Sequence, residues 1–464
     1  MVLGRLFTRC PLDDPREKAW TELRMQWLSE QFGIEPLLNA EVLLPTPEHF
    51  PEPYTGTPED AERLMRRMCR QLQVDPTTNI VLKIQSDVEM PDAAGLYEED
   101  DGTTTIRITE SQLGDPEQLV STLAHELAHQ RLLGEKRLTG AEEDHERLTD
   151  LLPVFFGGGV FAANAVIREE SVTEGRWHSW SIGKWGYLPA RIFGYGFALF
   201  AWVRGEQSPA WARHLRRDAR TTMMQSLKYL RKMEDSLFRP DTAGHEREPL
   251  TLEDLGSELR SGTPGRRIAA LWEIQDRGTD AGPVAPPVVE ALEDRSPAIL
   301  TAALDAIAGI GEPDDEADRA VSLLLTHDHP EVRGKAAFAL RAVSSSVDEA
   351  VQRIATLLED ANPAVVCWAA HALAKIGKPA AETTGGILRP LRRAVLRRDV
   401  GTANFCLLAL AAVHDDPDAL LRETFTDPEV YREANEILAD LRDAEAAADA
   451  AETENAGERG ASAP

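Results

Sequence analysis

The sequence predicts an α+β domain, with a small sheet beside one chemically loaded helix, followed by an all-α solenoid of paired helices. Three observations predict this. Short β-prone runs precede a long helix in the first half of the chain, and Pro264, Pro297, Pro330 and Pro363 recur every 33 residues in the second. The length, 464 residues, is also more than one compact core usually organises.

Asp14-Pro15 is a helix start, with proline at the first helical position and aspartate as its cap. Trp20, Leu23, Trp27 and Phe32 follow at helical spacing until Gly33 ends the run. Pro45, Pro47, Pro51 and Pro53 mark an irregular connector, and Thr57-Pro58 opens a second helix with Leu64, Met68 and Leu72 on its apolar face. Ile80-Val81-Leu82-Lys83-Ile84 reads as a strand. Leu96-Tyr97 and Thr103 to Ile108 flank the turn pair Asp101-Gly102, the signature of a hairpin. Asp115 with Gln118 three residues later is a capping-box signal for a helix that runs to about Gly134. Further helices are expected from about Glu142 to Ile167 and from Leu188 to Leu237. Residues 1–238 therefore form the first domain, and the charged, proline-bearing stretch 239–250 is a linker.

Beyond the linker, the register of the four prolines extends without gaps. Nine residues before each stand Leu255, Val288, Val321 and Ile354, and five before stand Leu259, Leu292, Leu325 and Leu358. Six after stand Ala270, Ala303, Ala336 and Ala369, and ten after stand Ile274, Ile307, Leu340 and Leu373. This is two amphipathic helices per unit, with alanine where helices approach closely; one unit cannot bury its apolar face alone, so the units must stack. A fifth unit with Ile387 and Leu391 lacks the proline. A 33-residue period also suits ankyrin repeats, but their Thr-Pro-Leu-His signature is absent. Pro330-Glu331-Val332-Arg333-Gly334-Lys335-Ala336-Ala337 resembles HEAT-like repeats, which implies a protein-binding solenoid over 251–442. The Ala-, Glu- and Asp-rich stretch 443–464 cannot build a core and is expected to be a disordered acidic tail.

Lys and Arg number 50 against 78 Asp and Glu, a net charge of −28. That balance argues against nucleic acid and against anionic membrane surfaces as partners, since both require a basic face. Cys10, Cys69, Cys367 and Cys406 are scattered, which suits reduced thiols rather than a disulfide framework or thiolate metal site. The first residues lack an apolar core of signal-peptide length. The apolar stretches from Leu151 to Ile167 and from Ile192 to Val203 are interrupted or too short to span a bilayer. A cytoplasmic protein is the expectation.

The chemistry concentrates in His125-Glu126-Leu127-Ala128-His129. Histidines at i and i+4 project from one helical face and can share a zinc ion. Glu126 sits off the ligand line, where a carboxylate can reach a zinc-activated water and take its proton as general base. A catalytic zinc needs a third protein ligand and an open position. Glu146-Arg147-Leu148-Thr149-Asp150 offers two carboxylates at i and i+4, while Glu142, Glu143, Asp144 and His145 stand close enough to compete.

In these residues the chain resembles the gluzincin branch of zinc metallopeptidases, over about Ile80 to Ile167. The metzincin pattern would need glycine at Leu132 and histidine at Glu135. The resemblance implies a zincin-like fold, one catalytic Zn2+ held by His125, His129 and Glu146, and Asp150 as the group that braces a ligand histidine. Such peptidases also add a His or Tyr at the oxyanion; His178, Tyr187 and Tyr195 are the candidates, each competing with a role in the core. Trp177, Trp180 and Trp185 are read as packing ahead of a substrate cleft. His327-Asp328-His329 falls where other repeats have short polar turns, so loop chemistry accounts for it. The expected function is a zinc-dependent metallopeptidase acting on a protein or peptide substrate, with a protein partner or the substrate on the repeat surface. The alternative is a non-catalytic interaction scaffold that carries an inactive zinc-binding module.

Overall fold

The computed structural model describes residues 10–90, 94–100, 102–140, 142–165, 188–240 and 249–425, with scattered positions from 428 to 439. They fall into two compact units, and along the chain the division lies between Pro249 and Leu250. No helix among the described residues is long and apolar enough to cross a membrane. The tail 443–464 lies outside the described residues.

The first unit opens with α1 (Pro15–Phe32), where the Asp14 side chain accepts from the Arg16 N–H, and Gly33 ends the helix at φ 75°. The inward face of α1 keeps Trp20 from the spacing in the sequence but is otherwise largely polar. Lys18, Glu22, Met25, Gln26 and Ser29 are buried, while Leu23 and Trp27 are only half-buried. The reason is a polar nexus. Glu22 accepts from Lys18 Nζ at 3.0 Å, from the Tyr195 hydroxyl at 2.6 Å and from the Leu237 N–H at 2.9 Å.

Two further helices follow, α2 (Glu35–Asn39) and α3 (Pro58–Gln71), the latter closed by a capping box between Thr57 and Asp60. The sheet has the order β1 (Asn79–Gln85), β3 (Thr103–Thr109), β2 (Gly95–Asp100). β1 runs parallel to the central β3, and β2 pairs with it antiparallel as the expected hairpin. Thr104, Ile106 and Ile108 alternate along β3 and are buried on one face.

Against the sheet lies α4 (Pro116–His129), capped by Asp115, whose side chain accepts from the Gln118 N–H at 3.1 Å. The reciprocal half of the box is missing: Gln118 Oε1 is buried without a partner. Leu119, Leu123, Ala124, Leu127 and Ala128 bury the apolar face of α4, and the chain runs from His129 straight into a π-helical turn, Gln130–Gly134.

The next helix is shorter than the sequence suggests. α5 spans His145–Phe155 and breaks at Gly157, where φ is +78° and a Cβ would press against Glu41 O at 2.6 Å. The connector crosses there, with the Leu43 N–H donating to Gly157 O at 2.9 Å. The stretch from Leu188 to Leu237 is likewise two helices, α6 (Ala190–Val203) and α7 (Arg217–Leu230), separated around Gly205 and Pro209.

The second unit is a run of helix pairs. The later helices of four successive pairs, Pro264–Arg277, Pro297–Ile310, Pro330–Val343 and Pro363–Ile376, all start with the register proline at their first positions. Ala270, Ala303, Ala336 and Ala369 are buried between them, as are Ile274, Ile307, Leu340 and Leu373. Arg267 reaches Asp294 at 2.6 Å and Arg333 reaches Asp360 at 2.8 Å, the same step from one unit to the next. Gly334 stands where Trp368 of the next unit packs, with Trp368 Cγ 2.9 Å from where a Cβ would lie. In the fifth unit Val400 takes the place of proline and Asp399 caps the helix Val400–Val413.

Stacking of this kind predicts a sharp contrast between two leucines of one repeat. Leu340→Ala, at 0% exposure, should cost about 2–5 kcal/mol in urea denaturation of the full chain. Leu323→Ala, at 72% exposure, should stay within roughly 0.5 kcal/mol. Equal losses would contradict the packing described.

Candidate metal centre

α4 and α5 pack side by side, and each contributes one face to a single constellation. His125 and His129 lie one turn apart on α4, with ring centroids 4.8 Å apart. Glu146, on the first turn of α5, turns one oxygen, Oε2, towards both: 3.2 Å from His125 Nε2 and 3.6 Å from His129 Nε2. Among the described residues this trio is the group able to hold a metal ion, its ligand atoms all lying within 4.8 Å of one another. Donor atoms bound tetrahedrally at 2.0–2.1 Å would sit roughly 3.3 Å apart, so the spacing fits a zinc-sized ion. The donor set fits as well: two imidazoles and one carboxylate are borderline ligands of the kind zinc takes.

The far sides of both imidazoles are held. His125 Nδ1 faces Asp150 Oδ1 at 2.9 Å, and Asp150 Oδ2 accepts from the Leu188 N–H at 2.8 Å. A carboxylate can only accept, so Nδ1 carries a proton towards Asp150 and Nε2 carries one towards Glu146; of the two, Nε2 is the nitrogen that would give up its proton to an ion in the shared space. His129 Nδ1 lies 3.4 Å from the Thr149 hydroxyl, which donates to His145 O at 2.8 Å. One turn of α5 thus supplies a candidate ligand and both braces. Thr149 is absent from the sequence reading, although its position three residues after Glu146, on the same face, could have suggested it.

The competing third-ligand residues are placed otherwise. Asp144 accepts from Trp20 Nε1 at 2.6 Å and Arg24 Nε at 2.7 Å, which commits it to α1. Glu142 and Glu143 are exposed. His145 stays close, its Nε2 3.1 Å from Glu146 Oε1 and its Nδ1 2.8 Å from Glu142 O, so it flanks the outer oxygen of Glu146. Tyr97 on β2, also missed in the sequence, lays its ring 5.9 Å from that of His129. Nothing in the alternating pattern of β2 distinguishes it.

The electrostatics of the site are those of a cation position. Burial works to lower the His125 pKa, but the hydrogen bonds to Asp150 and Glu146 outweigh it and raise it to about 10. The same bonds from His125 and His129 hold Glu146 well below the usual carboxylate range. Glu126 is 5% exposed, and burial pushes its carboxyl upward against the pull of the two histidines.

Of the oxyanion candidates, Tyr195 is fully buried and its hydroxyl is engaged by Glu22, so it belongs to the core nexus. His178, Tyr187, Trp177, Trp180 and Trp185 lie outside the described residues. In the repeats, His327 Nδ1 accepts from the His329 N–H at 3.0 Å, and Arg333 donates to His327 O at 2.8 Å; both contacts close the turn.

Comparison with known proteins bears on the second unit. A family model of HEAT repeats matches residues 317–383. No curated protein matches the chain. Among solved structures, an engineered protein from the Northeast Structural Genomics Consortium is 17% identical, covering 70% of this chain and 96% of its own at TM-score 0.29. A designed armadillo repeat protein in complex with the peptide (KR)4 is 19% identical, covering 41% of this chain and 100% of its own at TM-score 0.29. Superpositions at these TM-scores decide nothing about the fold. The C-terminal unit carries HEAT repeats on the strength of the family match and the 33-residue register.

Two substitutions separate the roles of ligand and brace. His125→Ala should remove bound zinc from the purified chain, whereas Asp150→Asn should weaken it by about 10–100-fold, measured by competition with a chromogenic chelator. If Glu146→Ala left zinc affinity unchanged, the third ligand would have to be a neighbour.

Proposed function

We propose that the N-terminal unit is a single-zinc metallopeptidase of the gluzincin type, and that the HEAT repeats hold a protein partner or the substrate. The observation that carries this reading is the convergence of His125, His129 and Glu146 on one position, with Asp150 behind His125. His125 Nε2, His129 Nε2 and Glu146 would hold the ion. Zinc, when bound, supplies Lewis acidity: it polarises a carbonyl oxygen and makes water a usable nucleophile near neutral pH.

The chain's own residues do the rest. Glu126 follows His125 directly, so its side chain is turned off the line joining the two histidines and remains available to move a proton. Its raised pKa makes it a stronger base than an exposed carboxylate, suited to taking a proton from attacking water and passing it to the leaving amine nitrogen. With an ion bound, Asp150 and Thr149 would hold the Nδ1 side of the two imidazoles and leave Nε2 to the metal.

A second reading is favoured by the HEAT match. HEAT repeats suggest a protein-interaction scaffold, and this part of the function rests on the family match alone. In that reading the first unit binds zinc without hydrolysing anything.

Glu126→Gln discriminates between the two. Under the peptidase reading it keeps the parent's zinc content and loses at least about 100-fold in turnover of a quenched fluorescent peptide library. Turnover near the parent rate would remove Glu126 from the mechanism, and an inactive parent with full zinc would favour the scaffold.

A further inference from the structure

Gly95 begins β2 opposite Ile108 of β3, in a strand where β-branched and aromatic residues are favoured and glycine is not. Its backbone does not ask for glycine, because its φ is outside the left-handed region that Gly33, Gly102 and Gly157 occupy. Space is the remaining reason. A Cβ at position 95 would overlap Glu126 Oε1 and would lie 2.6 Å from Thr122 Cγ2 and 3.0 Å from Glu126 Cδ. Thr122 and Glu126 are one turn apart on α4, and both are buried. The carboxylate of Glu126 therefore rests directly on the main chain of β2, with no side chain between.

We propose that Gly95 is a positioning residue for Glu126: the bare backbone of β2 forms the wall that fixes where the carboxylate sits. The backbones of β2 and α4 are held in place, so the side chains of α4 are what must give way. β2 is tied along its length to β3, and two residues on, Tyr97 packs against His129 one turn beyond Glu126. Thr122 closes the side towards the helix N-terminus. A methyl group at position 95 is accommodated by swinging the Glu126 carboxylate away and turning the Thr122 methyl aside, while His125, His129 and Glu146 keep their places. The catalytic consequence rests on the peptidase reading; the contact itself does not.

The test is a double-mutant cycle on the zinc-loaded full chain with Gly95→Ala, Glu126→Ala and the pair, read by thermal denaturation and zinc content. Gly95→Ala should keep the parent's zinc stoichiometry and lower Tm by about 3–8 °C. In the Glu126→Ala background the same change should cost less than half as much. With fluorescein-labelled casein as probe, Gly95→Ala should lower kcat by about 100-fold and leave KM nearly unchanged. Equal Tm losses in both backgrounds overturn the proposal, as does a Gly95→Ala chain with parental Tm and kcat. If Gly95→Ala does not fold, recovery of folding in the Glu126→Ala background supports the contact and failure in both overturns it. A parent that does not cut casein counts against the peptidase reading, and the Tm cycle still decides the contact.

Discussion

Two imidazoles turn their Nε2 atoms towards a common point only if their other nitrogens are occupied, and the pairing of α4 with α5 serves that requirement. Asp150 and Thr149 meet it from consecutive positions of one helix, and Glu146, a turn earlier, closes the front. The arrangement is economical in backbone terms. Fixing the position of α5 relative to α4 places ligand and both braces at once, because residues three and four apart on a helix share a face. The same economy makes the site sensitive to any slip of α5, since one displacement would misplace all three groups together.

What prevents such a slip lies outside the site. The N-terminus of α5 is gripped by α1, where Arg24 and Trp20 both donate to Asp144 and the Arg147 guanidinium lies 4.1 Å from the centre of the Trp20 ring. α1 is itself held by the Lys18–Glu22 pair, whose side chains are 5% and 0% exposed, and by the tyrosine and main-chain donors around Glu22. Buried pairs of this kind add little net stability, because desolvation offsets most of the attraction. Removing one partner is nonetheless costly, since it strands the other charge. The nexus therefore specifies where α1 sits more than it strengthens the domain. Through Asp144 that specification reaches the first turn of α5, where Glu146 stands.

Legibility in the sequence follows the range of the interaction. The two histidines, Glu146 and Asp150 could be read because each pair is a local helical spacing, and the solenoid could be read because its contacts repeat at fixed separation. The buried face of α1 could not. Its spacing points to Trp20, Leu23 and Trp27, of which Trp20 is buried and the other two are half-buried, and only the distant Tyr195, Leu237 and Arg239 explain why Glu22 and Gln26 face inward as well. Gly157 and Gly95 were opaque for the same reason. One is required by the connector at Glu41 and the other by a side chain on a different element, and neither neighbour is close in sequence. The π-helical turn after His129 has no sequence signal at all, whereas its partner contact, Thr104 to Gln130, depends on the sheet being in place.

The two units thus answer to different physical rules. In the HEAT unit each helix pair rests on its neighbours, and the recurring alanine, leucine and Arg–Asp contacts are nearest-neighbour terms. A substitution there acts mostly on its own repeat and the next, so sequence can drift from unit to unit, as Val400 does in place of proline, without loss of the stack. The first unit has no such tolerance. Its candidate site draws on side chains from a strand and two packed helices, with the first helix of the chain reaching the neighbouring Asp144.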